Sequence, residues 1–519
     1  QLNFGSTAGV ASKDINVDTV ISEGYTGKGI KVAVVDSGLE INHEDLAANV
    51  ISDGSFNFLD SSTDPTSNTS TGDHGTSVAG IIGAVGWNDV GGRGVAPNVD
   101  LKGFNMLEAS SVANVISSLG GATYSNNVEV FNLSYGYSND ESFNINTGIE
   151  AQYIDGVTNL REGKGAIYVK SSGNGFRSFG DPSANCSEAR DNGLTCQNAS
   201  MDPENAIPYQ VLVGALNANG KKASYSTAGS ALWISAPGGE YGNDVNVAGS
   251  EGEGYWYTPA IMTTDQSSCS KGYVRTSMGY VGNEFENKGS HNLNASCNYT
   301  STFNGTSSAA PVTSGVVALL LEANSTLTWR DVKHILANSA VQVDADIAAT
   351  VISGYIAEPA WTTNAAGYTF HNYYGFGAID AASALNLAKS YSAGSLGTFV
   401  TANEQSSTLN LTIPDDSNTG RSDTITDANN LTIETVNVNV CISHARPSDL
   451  GIALTSPQGT RSVLLNPYTG FDDTSTCFYL LSNAFYEENS NGNWEIKLTD
   501  KKSGIEGSII SWKLKISGR

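Results

Sequence analysis

The hydrophobic pattern of the chain changes near residue 395, and this change limits the folds that the sequence can adopt. Before that point, short apolar runs such as 30–35 alternate with longer segments of small and apolar residues such as 76–85. Similar runs occupy 128–133, 166–169 and 210–213. Alternating strands and helices indicate a parallel sheet with helices on both faces and functional groups at the carboxyl ends of the strands. We therefore expect an α/β domain over residues 1–390.

A different periodicity follows the predicted linker 391–395. Apolar residues there recur at every second position, at Val436, Val438, Val440 and Ile442 and again at Trp494, Ile496 and Leu498. Alternation of this kind is typical of half-buried strands. We expect an all-β, jelly-roll-like domain over residues 396–519. The Gly-rich, weakly periodic segment 236–305 is predicted to be a long loop insertion in the first domain.

Charge and hydropathy exclude several functions. The 519 residues include 27 Lys and Arg against 52 Asp and Glu, which gives a net charge of −25. Such a charge argues against binding to nucleic acid or to anionic membranes, and it suits cationic substrates or metal ions, although solubility alone is its commoner reason. No apolar run reaches the roughly 18 residues of a membrane span. The first residues, 1–4, do not resemble a signal peptide, so we expect the numbering to begin at a mature N-terminus.

Six cysteines indicate an oxidising compartment. They fall into three pairs that are close in sequence, Cys186/Cys196, Cys269/Cys297 and Cys441/Cys477, and none has the C-x-x-C spacing of zinc or redox sites. Fifteen connectivities are open to six cysteines. We expect the three local pairs to form disulfides and the protein to be secreted.

The segment 304–311, Asn-Gly-Thr-Ser-Ser-Ala-Ala-Pro, runs directly into an apolar stretch of helix length. It predicts that Ser307 lies near the N-terminus of a buried helix, with Pro311 in an early turn where its missing N–H costs little. A hydroxyl there feels the positive end of the helix dipole, beside backbone N–H groups that can receive an oxyanion. Because Ser and Thr also cap helices, a nucleophilic Ser307 needs partners elsewhere in the chain.

Two other segments supply those partners. The segment 36–38, Asp-Ser-Gly, ends a strand, and the segment 73–80 opens a helix of small residues with Asp-His-Gly-Thr. Asp36, His74 and Ser307 follow the order of subtilisin-type enzymes, and the three segments resemble the catalytic motifs of the subtilisin-like serine proteases (subtilases). In such a triad a histidine takes the proton of the serine, and a carboxylate orients the imidazole. We assign Ser307 as nucleophile, His74 as general base and then acid, and Asp36 as the orienting carboxylate.

The resemblance implies two further parts of an active site. The segment 171–175, Ser-Ser-Gly-Asn-Gly, resembles the oxyanion-hole segment of the family, so Asn174 would bind the oxyanion together with the backbone N–H of Ser307. The segment 132–136 resembles the substrate-binding strand, in which Ser134 and Gly136 would pair with an extended peptide. A simple Asn-Gly turn and an ordinary edge strand are the alternatives.

Other segments resemble the kexin/furin branch of the subtilases. They are 24–30, 42–46 and 374–377, and in the β domain 449–460 and 494–500 resemble the P domain of the convertases. A secreted bacterial kexin-like protease is the expected class. The resemblance also implies a Ca²⁺ site whose ligands would be the side chains of Asp45 and Asn88 and the backbone carbonyls of Val85, Val90 and Gly92. An uncharged turn is the alternative.

The chain has only some of the residues that determine substrate specificity in the convertases. Convertases carry a second aspartate, which reads a basic P2 residue, where this chain has Ser37, and the acidic cluster after Glu108 is thin. Asp202 falls where the family places an aspartate of the S1 pocket, and Asp140 lies near another. A buried carboxylate there would select Lys or Arg at P1. The alternative for Asp202 is an aspartate on a surface loop.

The expected function is a secreted, calcium-stabilised serine endopeptidase that cleaves after Lys or Arg. The alternatives are a broad-specificity extracellular nutrient protease and, from another class, a catalytically silent binding protein. We expect protein or peptide substrates, no nucleic acid, no membrane span and a monomer. Subtilases generally fold with a propeptide, so either a removed propeptide or a separate chaperone is expected to assist folding. The β domain is expected to stabilise the catalytic domain.

Overall fold

The structure is a computed structural model that describes residue 10 and residues 13–137, 144–177, 186–248, 254–471 and 475–519. Helices α1 to α9 span Val17–Ser22, His74–Gly83, Val112–Ile116, Thr147–Asn159, Ser187–Asp191, Val245–Ala248, Thr306–Ala323, Trp329–Ser339 and Ala381–Ser390. Strands β1 to β12 span Lys31–Val35, Asp100–Phe104, Val130–Leu133, Ile167–Ser171, Gln210–Leu216, Ile234–Pro237, Ile261–Thr264, Tyr299–Phe303, Thr350–Ile352, Tyr355–Glu358, Thr362–Thr363 and Thr369–Phe370. Strands β13 to β21 span Val400–Thr401, Gln405–Ile413, Arg421–Asp427, Ile433–Ser443, Leu450–Thr455, Arg461–Leu465, Ser475–Ser482, Gly492–Asp500 and Gly507–Gly518.

The first part of the chain forms a six-stranded parallel sheet with the strand order β2-β1-β3-β4-β5-β6. Ser314 of α7 donates to the Asn132 side chain of β3 over 2.9 Å. The neighbouring Phe131 stacks on Tyr168 of β4, whose ring meets Tyr153 of α4 at 4.8 Å between centroids. Because successive side chains of a strand point to opposite faces, α7 and α4 cover the two faces. The predicted α/β class is confirmed.

The last part of the chain is a β sandwich. One antiparallel sheet has the order β13-β21-β16-β19 with β14 also on β21, and the other has the order β15-β20-β17-β18. The predicted alternation holds in β16, where Val436, Val438, Val440 and Ile442 are buried. Trp494 of β20 and Trp512 of β21 are fully buried in one apolar cluster, to which both sheets contribute side chains. The predicted β-rich C-terminal domain is confirmed.

The sandwich packs directly on the α/β domain. Its apolar cluster also takes in Cys196 and Tyr355 from the first domain. The Asn483 amide donates to the Ala231 carbonyl over 2.8 Å, and Arg330 of α8 pairs with Glu434 of β16. The predicted linker 391–395 lies between α9 and β13.

Disulfides join Cys186 to Cys196, Cys269 to Cys297 and Cys441 to Cys477, so the predicted local pairing is confirmed. The segment 236–305, predicted to be a loop insertion, is more ordered than expected, because β7 and β8 pair within it. Threonine hydroxyls of β7 donate to backbone carbonyls of α2, over 2.6 Å from Thr263 and 2.7 Å from Thr264. The insertion therefore supports the helix that begins at His74.

Helix α7 lies in the core of the α/β domain. Among the described residues it is the one helix whose length and composition would allow it to cross a membrane, and 89% of it is buried inside the protein. It contacts strands β3, β4, β5 and β6 of the central sheet. Its apolar composition is that of a helix buried in a protein core.

Candidate active site

The carboxyl edge of β1 brings Asp36 to His74. Asp36 follows β1 directly and is fully buried, and His74 is the first residue of α2. The Nδ1 atom of His74 lies 2.9 Å from both carboxylate oxygens of Asp36. This approach requires a glycine next to the histidine, because a Cβ on Gly75 would lie 1.9 Å from the Gly38 carbonyl. With Nδ1 held by the carboxylate, Nε2 is the nitrogen that can accept a proton.

A second carboxylate, Asp73, lies directly before the histidine. It is buried and accepts hydrogen bonds from Ser37 Oγ over 2.8 Å and from Thr76 Oγ1 over 2.7 Å. Burial raises the pKa of the Asp73 carboxyl to about 6. Burial acts to lower the pKa of His74, but the charge and hydrogen bond of Asp36, with the charge of Asp73, hold that pKa above 6.5. Asp73 was not predicted as a site residue, because its only signal in the sequence is its position beside the histidine.

Ser307 is the second residue of α7 and is 8% exposed. Its hydroxyl donates to the Ser134 carbonyl over 3.2 Å, and no hydrogen bond joins it to His74 within the described part of the chain. Catalytic hydrogen bonds are often long or misaligned without substrate. Ser307 lies near a helix N-terminus, as predicted, but its hydroxyl is hydrogen-bonded to Ser134.

Pro311 is the sixth residue of α7, beyond the early turn in which it was predicted. A residue there would normally donate its N–H to the carbonyl of Ser307, four positions earlier. Proline has no N–H, and the Ser134 hydroxyl donates to the Ser307 carbonyl over 3.0 Å instead. Ser134, predicted to bind substrate, therefore also holds the backbone of the predicted nucleophile.

Asn174 lies beside the N-terminus of α7. Its Oδ1 accepts from the backbone N–H and the hydroxyl of Thr306, over 2.9 and 3.0 Å. With Oδ1 held in this way, Nδ2 is the end of the side chain that can donate to a ligand. Glycine is favoured at position 305, beside this amide, because its φ is 103° and a Cβ there would lie only 3.2 Å from Nδ2. The Ser307 N–H is one of the first amides of the helix, which have no intrahelical acceptor.

A cavity of about 570 Å³ lies beside Ser307 and Asn174. Ser134, Gly136 and Asp202, predicted to bind substrate, all line it, whereas Asp140 lies outside the described residues. Gly136 is exposed beyond the end of β3, and its backbone N–H and C=O form no hydrogen bond with any described residue.

Asp202 is buried in this cavity and is already paired. Its Oδ2 accepts from Lys170 Nζ over 2.9 Å and from the Tyr137 N–H over 3.1 Å. Lys170 is fully buried and also donates to the Tyr135 carbonyl over 2.7 Å. Lys170 and the neighbouring Glu204 were not predicted as site residues. A lysine directly after the apolar run 166–169 was the available signal for a buried counterion.

Of the residues predicted to bind calcium, Asn88 and Gly92 contact the side chain of Asp45, which is buried. Its Oδ1 accepts from the Asn88 amide over 2.8 Å and its Oδ2 from the Gly92 N–H over 3.1 Å. Gly91 closes over the carboxylate, since a Cβ there would lie 2.4 Å from Oδ2. Burial raises the pKa of Asp45.

The donor set around Asp45 fits a hard cation. The carbonyls of Val85, Val90 and Gly92 accept no hydrogen bond from the described residues, and a flip of the Asn88 amide would present an oxygen. Ca²⁺ prefers carboxylate, amide and backbone oxygens of this kind. The described residues contain no cluster of three or more His, Cys, Asp or Glu suited to a metal, so backbone oxygens would have to supply most ligands.

Comparison with known proteins agrees with this architecture. The Subtilase family matches residues 27–377, and the proprotein convertase P-domain matches residues 433–516. The chain is therefore a serine protease of the subtilase family, followed by a P domain.

Individual relatives extend over the whole chain. It is 36% identical to the Aeromonas extracellular serine protease of Aeromonas sobria, over 100% of this chain and 88% of that protein. It is 28% identical to furin of Homo sapiens, over 98% of this chain and 56% of furin. Solved structures of the Aeromonas sobria serine protease, alone and with the chaperone ORF2, superpose with a TM-score of 0.88 at 34% identity, covering 100% of this chain and 93% of theirs.

Proposed function

We propose that this subtilase hydrolyses peptide bonds with Ser307 as nucleophile, His74 as general base, Asp36 as the orienting carboxylate and Asn174 as an oxyanion donor. The observation that carries the proposal is the 2.9 Å contact of His74 Nδ1 with both oxygens of Asp36. This contact selects the tautomer in which Nε2 can take the proton of a serine.

In the proposed reaction the Ser307 hydroxyl leaves the Ser134 carbonyl and turns to His74 Nε2 as substrate binds. Ser307 Oγ attacks the scissile carbonyl carbon while His74 takes its proton. Asn174 Nδ2 and the Ser307 N–H stabilise the oxyanion, and the imidazolium, held by Asp36, protonates the leaving amine. Water then attacks the acyl-enzyme by the same steps and releases Ser307.

Peptide hydrolysis by purified variants tests these roles. We expect Ser307→Ala and His74→Ala to remove nearly all activity. Asn174→Ala should lower kcat by about 10²–10³ with little change in KM, because the oxyanion exists only along the reaction path. Asn192→Ala, at an exposed asparagine outside the site, should match the wild type. Full activity in Ser307→Ala would refute the assignment.

We also propose a preference for Lys or Arg at P1. The acidic groups lining the cavity beside Ser307 support it, as does the net charge of −25. The alternative is a broad-specificity extracellular protease, which is favoured by Ser37 and by the Lys170–Asp202 pair. Cleavage of a peptide library should enrich Lys and Arg at P1. Efficient cleavage with no P1 preference would support the alternative.

We propose that Ca²⁺ binds at Asp45 and stabilises the fold, with Asn88 and the carbonyls of Val85, Val90 and Gly92 as the other ligands. Calcium should raise Tm in the wild type, and a chelator should lower it. Asp45→Asn should lose both effects, whereas Asp346→Asn, at an exposed residue, should keep them. A wild-type Tm that is independent of calcium, with no binding heat in calorimetry, would refute the site.

We further propose that the protein is secreted and folds with help from a separate chain. An extracellular relative and the complex of a similar protease with a chaperone support this proposal. Denatured protein diluted into buffer with calcium should recover little activity by itself. High recovery without any helper would argue against it.

A further inference from the structure

The cavity beside Ser307 contains two acidic side chains, Asp202 and Glu204, among the described residues that line it. They are not equivalent. Asp202 has both oxygens occupied, since Oδ1 accepts from the Glu204 N–H over 3.0 Å and Oδ2 accepts from Lys170 and Tyr137. A Cβ on Gly136 would lie 2.6 Å from Asp202 Oδ2, so the carboxylate also packs closely against the backbone of Gly136. Asp202 thus already accepts three hydrogen bonds from the protein, and Lys170 balances its charge.

Glu204 is in a different position. It is 1% exposed, and its Oε2 accepts from Tyr153 Oη over 2.8 Å. Its Oε1 is buried and has no hydrogen-bond partner among the described residues, and the same is true of Tyr135 Oη, whose residue also lines the cavity. Buried polar atoms without partners are rare because leaving them unpaired costs about 1–3 kcal/mol. Both atoms belong to residues that line the same cavity, so a hydrogen-bond donor bound there would satisfy them.

We propose that Glu204, and not Asp202, is the carboxylate that binds the charged end of a P1 Lys or Arg, and that protonation of Glu204 switches this preference off at low pH. The inference rests on the proposed function, in which the cavity is the S1 pocket. A guanidinium or ammonium group supplies N–H donors for Glu204 Oε1 and for the oxygen of Tyr135.

The charged and titratable groups facing Glu204 set the pH range. They are Lys170 of β4, Asp202, Tyr153 of α4, and Tyr135 and Tyr137 beyond β3. Burial raises the pKa of Glu204 to about 7, although the Lys170 charge lowers it and the Asp202 charge raises it further.

The net charge of this group of side chains follows from that pKa. With Glu204 protonated, Lys170 and Asp202 cancel and the cavity is neutral. With Glu204 ionised, the cavity carries one net negative charge, which favours a cationic P1 side chain.

The preference for a cationic P1 side chain can be measured with two peptides that differ only in having Arg or citrulline at P1. The two side chains are nearly isosteric, and Arg is charged and citrulline neutral throughout the range. Both peptides use the same His74 and Ser307, so titration of the catalytic groups cancels in the ratio of their kcat/KM values. For one proton with a pKa near 7, the Arg/citrulline ratio should rise about 30-fold from pH 5.5 to pH 8.5.

Matched variants locate the titrating group. Glu204→Gln should give a ratio that is low and independent of pH, while Glu162→Gln, at a side chain that is 88% exposed, should keep the wild-type dependence. A wild-type ratio that does not change with pH overturns the inference even if Glu204→Gln fails to fold. A folded Glu204→Gln that keeps the wild-type dependence also overturns it. Failure of the wild type to cleave either peptide would overturn the proposed function itself, so the two failures are distinguishable.

Discussion

Replacing Asp73 with Asn should stabilise the protein at neutral pH, although the residue lies beside His74. The pKa of the buried Asp73 carboxyl rises from 3.8 to about 6, and each pKa unit corresponds to about 1.4 kcal/mol. Keeping this carboxylate ionised in the folded protein at pH 7.5 therefore costs about 3 kcal/mol. An amide of the same shape removes that cost, and it can still pair with the hydroxyls of Ser37 and Thr76.

The gain should depend on pH in a defined direction. The pKa of Asp73 is higher in the folded protein than in the unfolded chain, so the folded protein binds this proton more tightly. The wild type therefore loses stability as the pH rises from about 4 to about 6. Asp73→Asn should thus gain about 3 kcal/mol at pH 7.5 but only about 1 kcal/mol at pH 4.5. Since the Asp73 charge also raises the pKa of His74, the acid limb of kcat/KM should move to lower pH.

Equilibrium denaturation tests the energy difference, with Ser307→Ala as the background to prevent self-cleavage. Asp346→Asn, at an exposed aspartate, serves as the control and should change the free energy of unfolding by less than about 0.5 kcal/mol. If Asp73→Asn is destabilising at pH 7.5, or has the same effect at both pH values, the buried Asp73 carboxylate does not carry this cost.

Three further changes probe other parts of the structure. Ser134→Ala leaves the Ser307 carbonyl unpaired and should cost about 1–3 kcal/mol and lower kcat. Ser314→Ala, about two turns farther along α7, should cost stability alone, and a kcat of Ser134→Ala equal to that of Ser314→Ala would exclude the positioning role. Arg330→Met leaves Glu434 poorly paired at the domain interface and should lower the free energy of unfolding, measured by thermal unfolding, by about 3 kcal/mol. Lys502→Met, in an exposed ion pair, should lower it by less than about 1 kcal/mol. Similar losses in the two variants would contradict the buried character of the Arg330 contact. A chain ending at residue 390 should be insoluble or much less stable, and an active, soluble fragment would show that the P domain is dispensable.

The strands of the α/β domain were predictable where they are continuously apolar. Runs at β1, β3, β4 and β5 predicted those strands within a few residues. Strand β2 was missed because Lys102 and Gly103 interrupt its apolar run; in the fold Lys102 reaches the Tyr124 carbonyl with its ammonium group. The pairing of β7 with β8 was missed because their sequences lack strict alternation.

Motif residues were easier to predict than their partners. Asp36 and His74 meet at the carboxyl edge of the sheet, which the order of strands and motifs implied. The pairing of Lys170 with Asp202 joins residues 32 positions apart, and only the folded chain shows that their charges cancel. Likewise, the effect of Pro311 on the Ser307 carbonyl depended on where α7 begins, and helix ends are poorly determined by sequence alone.

The proposed mechanism requires Ser307 to be a nucleophile that His74 activates. Labelling with a fluorophosphonate as a function of pH, followed by peptide mapping, measures this activation. One label per chain on Ser307 is expected, with a rate that falls in acid as His74, whose pKa is raised by Asp36, becomes protonated, and with almost no label in His74→Ala. A folded protein that takes no label, or that takes it on another residue, would rule out Ser307 as the nucleophile.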